Sequence, residues 1–416
     1  MQKLLSVSFL SAISLTIANP ALAIQFQFTK LVDTQTLMPD EGRPFTAFDS
    51  ASISGSSVVF RGTIGRPISR RYREGVYLIR DRALSKIVDL RTRTPRFRFE
   101  QFASPILSGN NVAFIGINSM RSMALYTQFE GKPLTAIVNS TTAPANNNSF
   151  FWQFGALGSR QLMPAPIHMD GPNIVFEGGY GYFGGKVQRV TYDGISPRIN
   201  GTRVVTFIPS TATEDSAQPS IDRGRIQLTI GSAAPATIVD NTTMLPHGKL
   251  VSNFGGNFGS SARRLPIAPT PIVNANTVFF FANDSEGEGG LYTQRSTGLR
   301  TIIRQGTVVP DIGPVQSFGG IGISGINQAF SVRKGRTQTA LVMRTGGQIL
   351  KVFKLGDSID GKKIATFNPL GTQFLSGRSI VFIVRFTDGS SGIYRTTATP
   401  ENTAEAVAMA RDREPD

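Results

Sequence analysis

Apolar residues in this chain fall into short runs of about four or five, each bounded by Gly, Asn, Asp, Ser or Pro, the signature of short strands joined by tight turns. Seven times the same arrangement returns: a turn, usually with Gly, then β-formers ending in Phe or Leu. The anchors are Phe60, Phe114, Phe176, Leu228, Phe280, Phe330 and Phe382. They are spaced by 54, 62, 52, 52, 50 and 52 residues. A β-type repeat of this period predicts a propeller, in which each copy is one small sheet that must pack on its neighbours.

The second copy shows the unit. Ser104–Leu107 predicts a first strand, Ser108–Asn111 a turn, and Val112–Ile115 a second strand. Ala124–Thr127 and Leu134–Val138 predict the third and fourth. Gly109 and Asn110 suit the positive φ of such a turn. The third strand recurs as Gly75-Val76-Tyr77, Gly290-Leu291-Tyr292 and Gly392-Ile393-Tyr394. Strand four is expected at Leu84–Asp89, Thr237–Asp240 and Leu299–Ile303. Copy three is irregular, with a long stretch from Phe150 to Met163 and a Gly- and Tyr-rich segment, 178–185, in place of an ordinary loop.

The last copy lacks a fourth strand, and the missing piece stands at the other end. Phe28-Thr29-Lys30-Leu31-Val32-Asp33, then Thr36 and Pro39, matches Leu84-Ser85-Lys86-Ile87-Val88-Asp89, then Thr92 and Pro95. Pairing these ends removes two free sheet edges. The expected fold is therefore all-β: a seven-bladed β-propeller of four-stranded blades, closed by the N-terminal strand completing the last blade, with six or eight blades as the alternative. The expected organisation is a signal peptide at 1–23, one propeller domain at 24–403, and a flexible or short helical tail at 404–416.

The signal-peptide expectation rests on Lys3, the apolar stretch Leu4–Ile17 and the small residues Ala21 and Ala23 around Leu22. It predicts a periplasmic or extracellular protein, with no transmembrane segment elsewhere. The absence of cysteine excludes disulfides, thiolate metal sites and a Cys nucleophile. The formal charge is +15, and residues 61–98 hold twelve Arg and Lys against Glu74, Asp81 and Asp89. Such a surface attracts polyanions. In an exported protein these are acidic glycans or envelope components rather than nucleic acid.

The unit Pro-x-Ile-x-Ser-Gly-x-x-Val-x-Phe, followed by Gly-Ile/Leu-Tyr, is carried here by Pro105, Ser108, Gly109, Val112, Phe114, Leu125 and Tyr126. It resembles the propeller repeats of the TolB kind. The added Ile87-Val88-Asp89 strand with Thr92 and Pro95 resembles exported repeat proteins of unknown function from bacteria, of cyanobacterial type. The resemblance implies an exported propeller and brings no catalytic residue with it.

Candidate chemistry is sparse. His168 and His247 are the only histidines, with no metal spacing and no G-x-S-x-G turn to support a triad. Asp49, Glu100 and Asp170 are the nearest to channel carboxylates, the groups a glycan-cleaving propeller needs. Asp284, Glu286 and Glu288 match the first half of a calcium loop, but position twelve is Arg295. No cofactor is expected. The candidate binding residues are Arg61, Arg70, Arg71 and Arg73, with Trp152, Tyr180 and Tyr182 as a stacking surface for sugars. The expected function is a non-enzymatic binding scaffold for acidic polysaccharide or an envelope protein partner. The alternative is a polysaccharide hydrolase or lyase at the channel.

Overall fold

The computed structural model describes residues 24–66, 69, 72–93, 98–118, 123–130, 132–139, 151–154, 167–171, 173–180, 187–193, 203–206, 220–222, 225–230, 237–240, 249–253, 272–274, 277–283, 289–295, 298–335, 337–368 and 373–400. Among these there are strands and turns and no helix. Apart from the small hairpin of Val308–Val309 and Gly313–Pro314, the strands form antiparallel sheets, numbered here one to seven in chain order. Sheet one runs Ala47–Ser54, Ser57–Ile64, Arg73–Arg80, Ala83–Asp89, each strand bonded to the next. Sheet two is Phe99–Ser108, Asn111–Asn118, Met123–Gln128, Thr135–Asn139. Sheets four, five and six repeat the order, beginning at Ser220–Asp222, Ile272–Asn274 and Ser317–Ser324.

All seven anchors lie on the second strand of a sheet, as the repeat predicts. Two leading strands are interrupted. In sheet three, Phe151–Phe154 and His168–Asp170 both pair with Asn173–Tyr180, so the extra residues of copy three interrupt the first strand. Gly178, Gly179 and Tyr180 continue that second strand rather than forming a loop. In sheet seven, Lys362–Asn368 and Leu375–Ser376 both pair with Ser379–Phe386. One strand assignment is corrected. Thr237–Asp240 is the third strand of sheet four, bonded to Arg225–Ile230, and Lys249–Asn253 is the fourth. Copy four lacks the Gly-x-Tyr marker, so its Ile-Val-Asp run resembled a fourth strand while occupying the third place.

Pairing explains why the motif residues recur. Phe60 stands opposite Tyr77, Phe114 opposite Tyr126, and Phe382 opposite Tyr394. The ring centroids are 5.6, 5.6 and 6.2 Å apart. Each such pair contributes ~0.5–1.5 kcal/mol beyond its area. In copies one and seven a Gly two residues before the Tyr leaves room for the ring, where copy two has Ala124. A Cβ on Gly75 would stand 2.7 Å from the Tyr77 hydroxyl oxygen, and one on Gly392 would stand 3.0 Å from the Tyr394 ring. Apolar cores form between neighbouring sheets. Val59, Val76 and Val88 of sheet one pack with Phe102, Leu107 and Phe114 of sheet two.

The leading strands pack on one another in succession, from sheet one through sheet six, and Leu375–Ser376 of sheet seven packs back on Ala47–Ser54 of sheet one. Turns join them too. The amide of Gly109 donates to Ser54 Oγ at 2.8 Å, Gly171 to Ser108 at 2.8 Å, Gly377 to Ser324 at 2.8 Å, and Gly55 to Ser376 at 2.9 Å. The Ser of the Ser-Gly turn is thus an acceptor for the next sheet. Ile24–Asp33 lies beside Ser391–Pro400 as the fourth strand of sheet seven. Beyond it, the Thr34 amide donates to Ser391 O at 3.0 Å. The matching sequence at Asp33–Thr36 and Asp89–Thr92 has matching geometry: each Asp Oδ1 accepts from the Thr amide and hydroxyl, at 3.0 and 3.0 Å and at 2.8 and 2.8 Å.

The arrangement of four-stranded sheets is propeller-like. No helix among the described residues is long and apolar enough to cross a membrane. The expected signal peptide and tail, 1–23 and 404–416, lie outside the described residues.

Candidate functional site

A cleft of ≈ 640 Å³ opens where sheets six, seven and one meet. Its walls come from the start of Ala47–Ser54, the ends of Asn327–Lys334 and Ser379–Phe386, and the interrupted leading strand Lys362–Asn368. Phe48, Phe367 and Ile383 supply apolar surface, while Asp49, Arg333, Gln338 and Arg385 bring polar groups. Arg333 is half-buried and Arg385 exposed.

Asp49 is already engaged. Its carboxylate pairs with Arg61, whose other nitrogen donates to Phe102 O at 2.6 Å and lies 3.6 Å from Glu74. Glu74 is buried, its side chain 3 % exposed. It accepts from the Phe102 amide at 2.7 Å and from the Tyr72 hydroxyl. A buried carboxylate needs such partners, because an unpaired one costs several kcal/mol, on the order of 3–5. Burial, then the Glu74 carboxylate, pushes the Tyr72 hydroxyl well above its ordinary pKa.

Arg61, expected as a ligand group, therefore clamps sheet one to sheet two. Arg73 donates to Tyr72 O at 2.7 Å and lies 3.4 Å from Glu41. Lys86 pairs with Asp40 and Asp89 at 2.6 and 3.1 Å, and Arg91 with Glu41 at 3.0 Å. The charge excess of 61–98 is thus partly neutralised by Asp40, Glu41 and Asp49, carboxylates that precede it in the chain. Counting charge within one stretch missed them because the turn that follows a fourth strand folds back over the neighbouring sheet.

Arg70, Arg71, Tyr182, His247, Asp284, Glu286 and Glu288 lie outside the described residues. Trp152 and Tyr180 are strand residues of sheet three, paired through Phe151–Phe154 and Asn173–Tyr180. Glu100 is exposed on the leading strand of sheet two, and Asp170 is half-buried at the end of His168–Asp170 in sheet three. His168 is buried in sheet three, its Nε2 without a hydrogen-bond partner, and burial lowers its pKa to about 4. It is neutral at pH 7. It does not line the cleft. Among the described residues, no group of three His, Asp or Glu is placed to hold a metal.

Arg333 and Arg385 were not singled out from the sequence. The signal was present: each follows a repeat anchor by three residues, in Phe330-Ser331-Val332-Arg333 and Phe382-Ile383-Val384-Arg385.

The fold and the cleft define the protein's class as a β-propeller. Among solved structures it is similar to acylaminoacyl peptidase from Pyrococcus horikoshii, with 10 % identity, TM-score 0.54, and coverage of 88 % of this chain and 54 % of that one. It is also similar to a puromycin-hydrolyzing peptidase from Mycobacterium tuberculosis, at 12 % identity, TM-score 0.50, and 84 % and 51 % coverage. A structure of prolyl endopeptidases matches at 8 % identity, TM-score 0.52, and 89 % and 51 % coverage. The chain spans about half the length of these peptidases. At such identities the likeness is one of fold. No protein-family model matches the sequence, and no curated protein sequence matches it either.

The expected function is corrected by these likenesses. A non-enzymatic scaffold for acidic polysaccharide or an envelope partner gives way, since the similar solved structures named here are peptidases. Two of the arginines expected to hold the polyanion, Arg61 and Arg73, are occupied within the fold. The alternative of a polysaccharide hydrolase loses its channel carboxylate Asp49 to the Arg61 ion pair.

Proposed function

We propose that this chain works in peptide hydrolysis, as the propeller that receives and orients the peptide for a peptidase. The observation that carries this is the shared fold, over 88 % of the chain, with acylaminoacyl peptidase. The matched peptidases have nearly as much chain again outside the aligned part. In this reading the bond-breaking groups belong to a further hydrolase unit, joined or separate, and the cleft between sheets six, seven and one contacts the peptide.

The propeller is proposed to be a closed ring of seven blades. The succession of leading-strand contacts, returning from sheet seven to sheet one, supports this. So does the Gly55–Ser376 hydrogen bond. The TolB-like turns and the Lys3-to-Ala23 segment support a bacterial protein exported to the periplasm or beyond.

The test is to incubate the purified chain with N-acetylated and proline-containing peptides. Cleavage is read by mass spectrometry and binding by fluorescence anisotropy. Saturable binding of intact peptide without cleavage supports the proposal, and hydrolysis by this chain alone overturns the placing of the bond-breaking groups in a further unit. Neither one, up to the solubility limit of the peptides, overturns the proposal.

A further inference from the structure

We propose that the cleft bordered by sheets six, seven and one is a carboxylate-binding site in which Arg333 and Arg385 take up the anion. Four observations carry this. Both arginines line the same cleft. They occupy one position of the repeat, three residues after Phe330 and Phe382, where the other copies have Thr63, Ile117, Gly179, Gly231 and Asn283. Guanidinium groups at this position thus occur in the two adjacent copies that border the cleft. Third, the carboxylates nearby are engaged elsewhere: Asp49 with Arg61, and Asp388 with Lys362 at 2.9 Å. Among the described residues no carboxylate pairs with Arg333 or Arg385.

The fourth observation concerns direction. A Cβ on Gly319, in the leading strand of sheet six, would stand 3.1 Å from Arg333 Nε. The same Cβ would stand closer still to Ser331 Oγ, so the side chains of Ser331 and Arg333 both lie against that strand. Arg333 Nε is buried there with no hydrogen-bond acceptor. Arg385 is exposed on the next sheet and available to the same anion. Phe48 and Phe367 line the cleft beside them, so the favoured ligand joins a carboxylate to an apolar or aromatic group.

The anion chemistry stands on the arginines. Its extension to a peptide rests on the peptidase reading, and the probes separate the two. 3-Phenylpropionate and 3-phenylpropanamide differ in charge and are not peptides. Calorimetry on the purified chain should show the acid binding about tenfold or more tighter than the amide at low salt. Arg385→Gln and Arg333→Gln should each cut that preference, and the double variant should abolish it. Melting curves establish that the variants fold, and Arg385→Gln, at an exposed position, serves if Arg333→Gln does not.

Equal binding of acid and amide overturns the proposal, as does a preference that survives in a folded Arg385→Gln or double variant. Three peptides then locate the carboxylate: N-acetyl-Ala-Phe as the free acid, the same peptide as its amide, and N-acetyl-Glu-Phe amide. Preference for the first supports a terminal carboxylate and preference for the third a side-chain carboxylate. Equality of all three overturns the extension to peptides. A clear preference for 3-phenylpropionate, with no binding or cleavage of any peptide, leaves the carboxylate site standing and ends the peptidase reading.

Discussion

Arg61 and Arg385 both stand on the second strand of a sheet, and those sheets are neighbours, yet their surroundings are opposite. Arg61 meets Asp49, the buried Glu74 and the Phe102 carbonyl, and joins sheet one to sheet two. Arg385 reaches the cleft with no carboxylate partner among the described residues. The repeat thus carries arginine at two positions, one and three residues after the anchor, and in these two copies the roles differ. Where the next leading strand offers a carbonyl and an amide, a buried acid and base can both be satisfied. Where two sheets leave a gap, the charge stays available. Exposed charge is therefore better counted after pairing than before it.

The bluntest way to break this comparison is to delete residues 28–36. That removes Phe28–Asp33 of the strand beside Ser391–Pro400 and the Thr34–Ser391 hydrogen bond, and with them most of the support for the sheet that carries Arg385. Loss of a single cooperative melting transition is expected, and an unchanged Tm would refute the closure. Next comes Glu74→Ala, which leaves Arg61 and the Phe102 amide without their buried acceptor. It should lower stability by ~3–5 kcal/mol in urea titration.

His168 sharpens the contrast from the other side, as a buried ionisable group whose Nε2 has no hydrogen-bond partner. Its pKa is lowered to about 4 in the folded chain against an ordinary value near 6.5. The folded protein therefore resists a proton that the unfolded chain accepts. Full stability holds above pH 6.5 and is lost as pH falls toward 4, by an amount on the order of 3 kcal/mol. His168→Asn should flatten that limb of the stability–pH curve, and an unaltered limb would show that other groups cause it. The smallest effect belongs to Arg385→Gln. At an exposed position with no carboxylate partner among the described residues, it should change stability by less than about 0.5 kcal/mol while altering anion binding.

The fold was legible because a propeller repeats its constraints. Phe60, Phe114 and Phe382 recur since each must meet a Tyr across the strand pair, and Gly75 and Gly392 recur since that ring lies over them. The Asp33–Thr36 match to Asp89–Thr92 was visible in the chain for the same reason, as one turn with one hydrogen-bond set. The third-strand role of Thr237–Asp240 is not marked in the sequence, because copy four lacks the aromatic marker. The interruption of the sheet-seven leading strand had no repeat signal at all.

The cleft was not legible, because it is made by residues far apart in the chain: Asp49, Arg333, Phe367 and Arg385. Periodicity reports what each copy shares, and the site consists of what copies six and seven do not share with the rest. Local pattern determined the strands, their turns and the pairing of the two ends, since strand period and turn chemistry act over a few residues. Only the tertiary structure decided which arginines are neutralised and which face open space, since ion pairing depends on distances between sheets that no local pattern records.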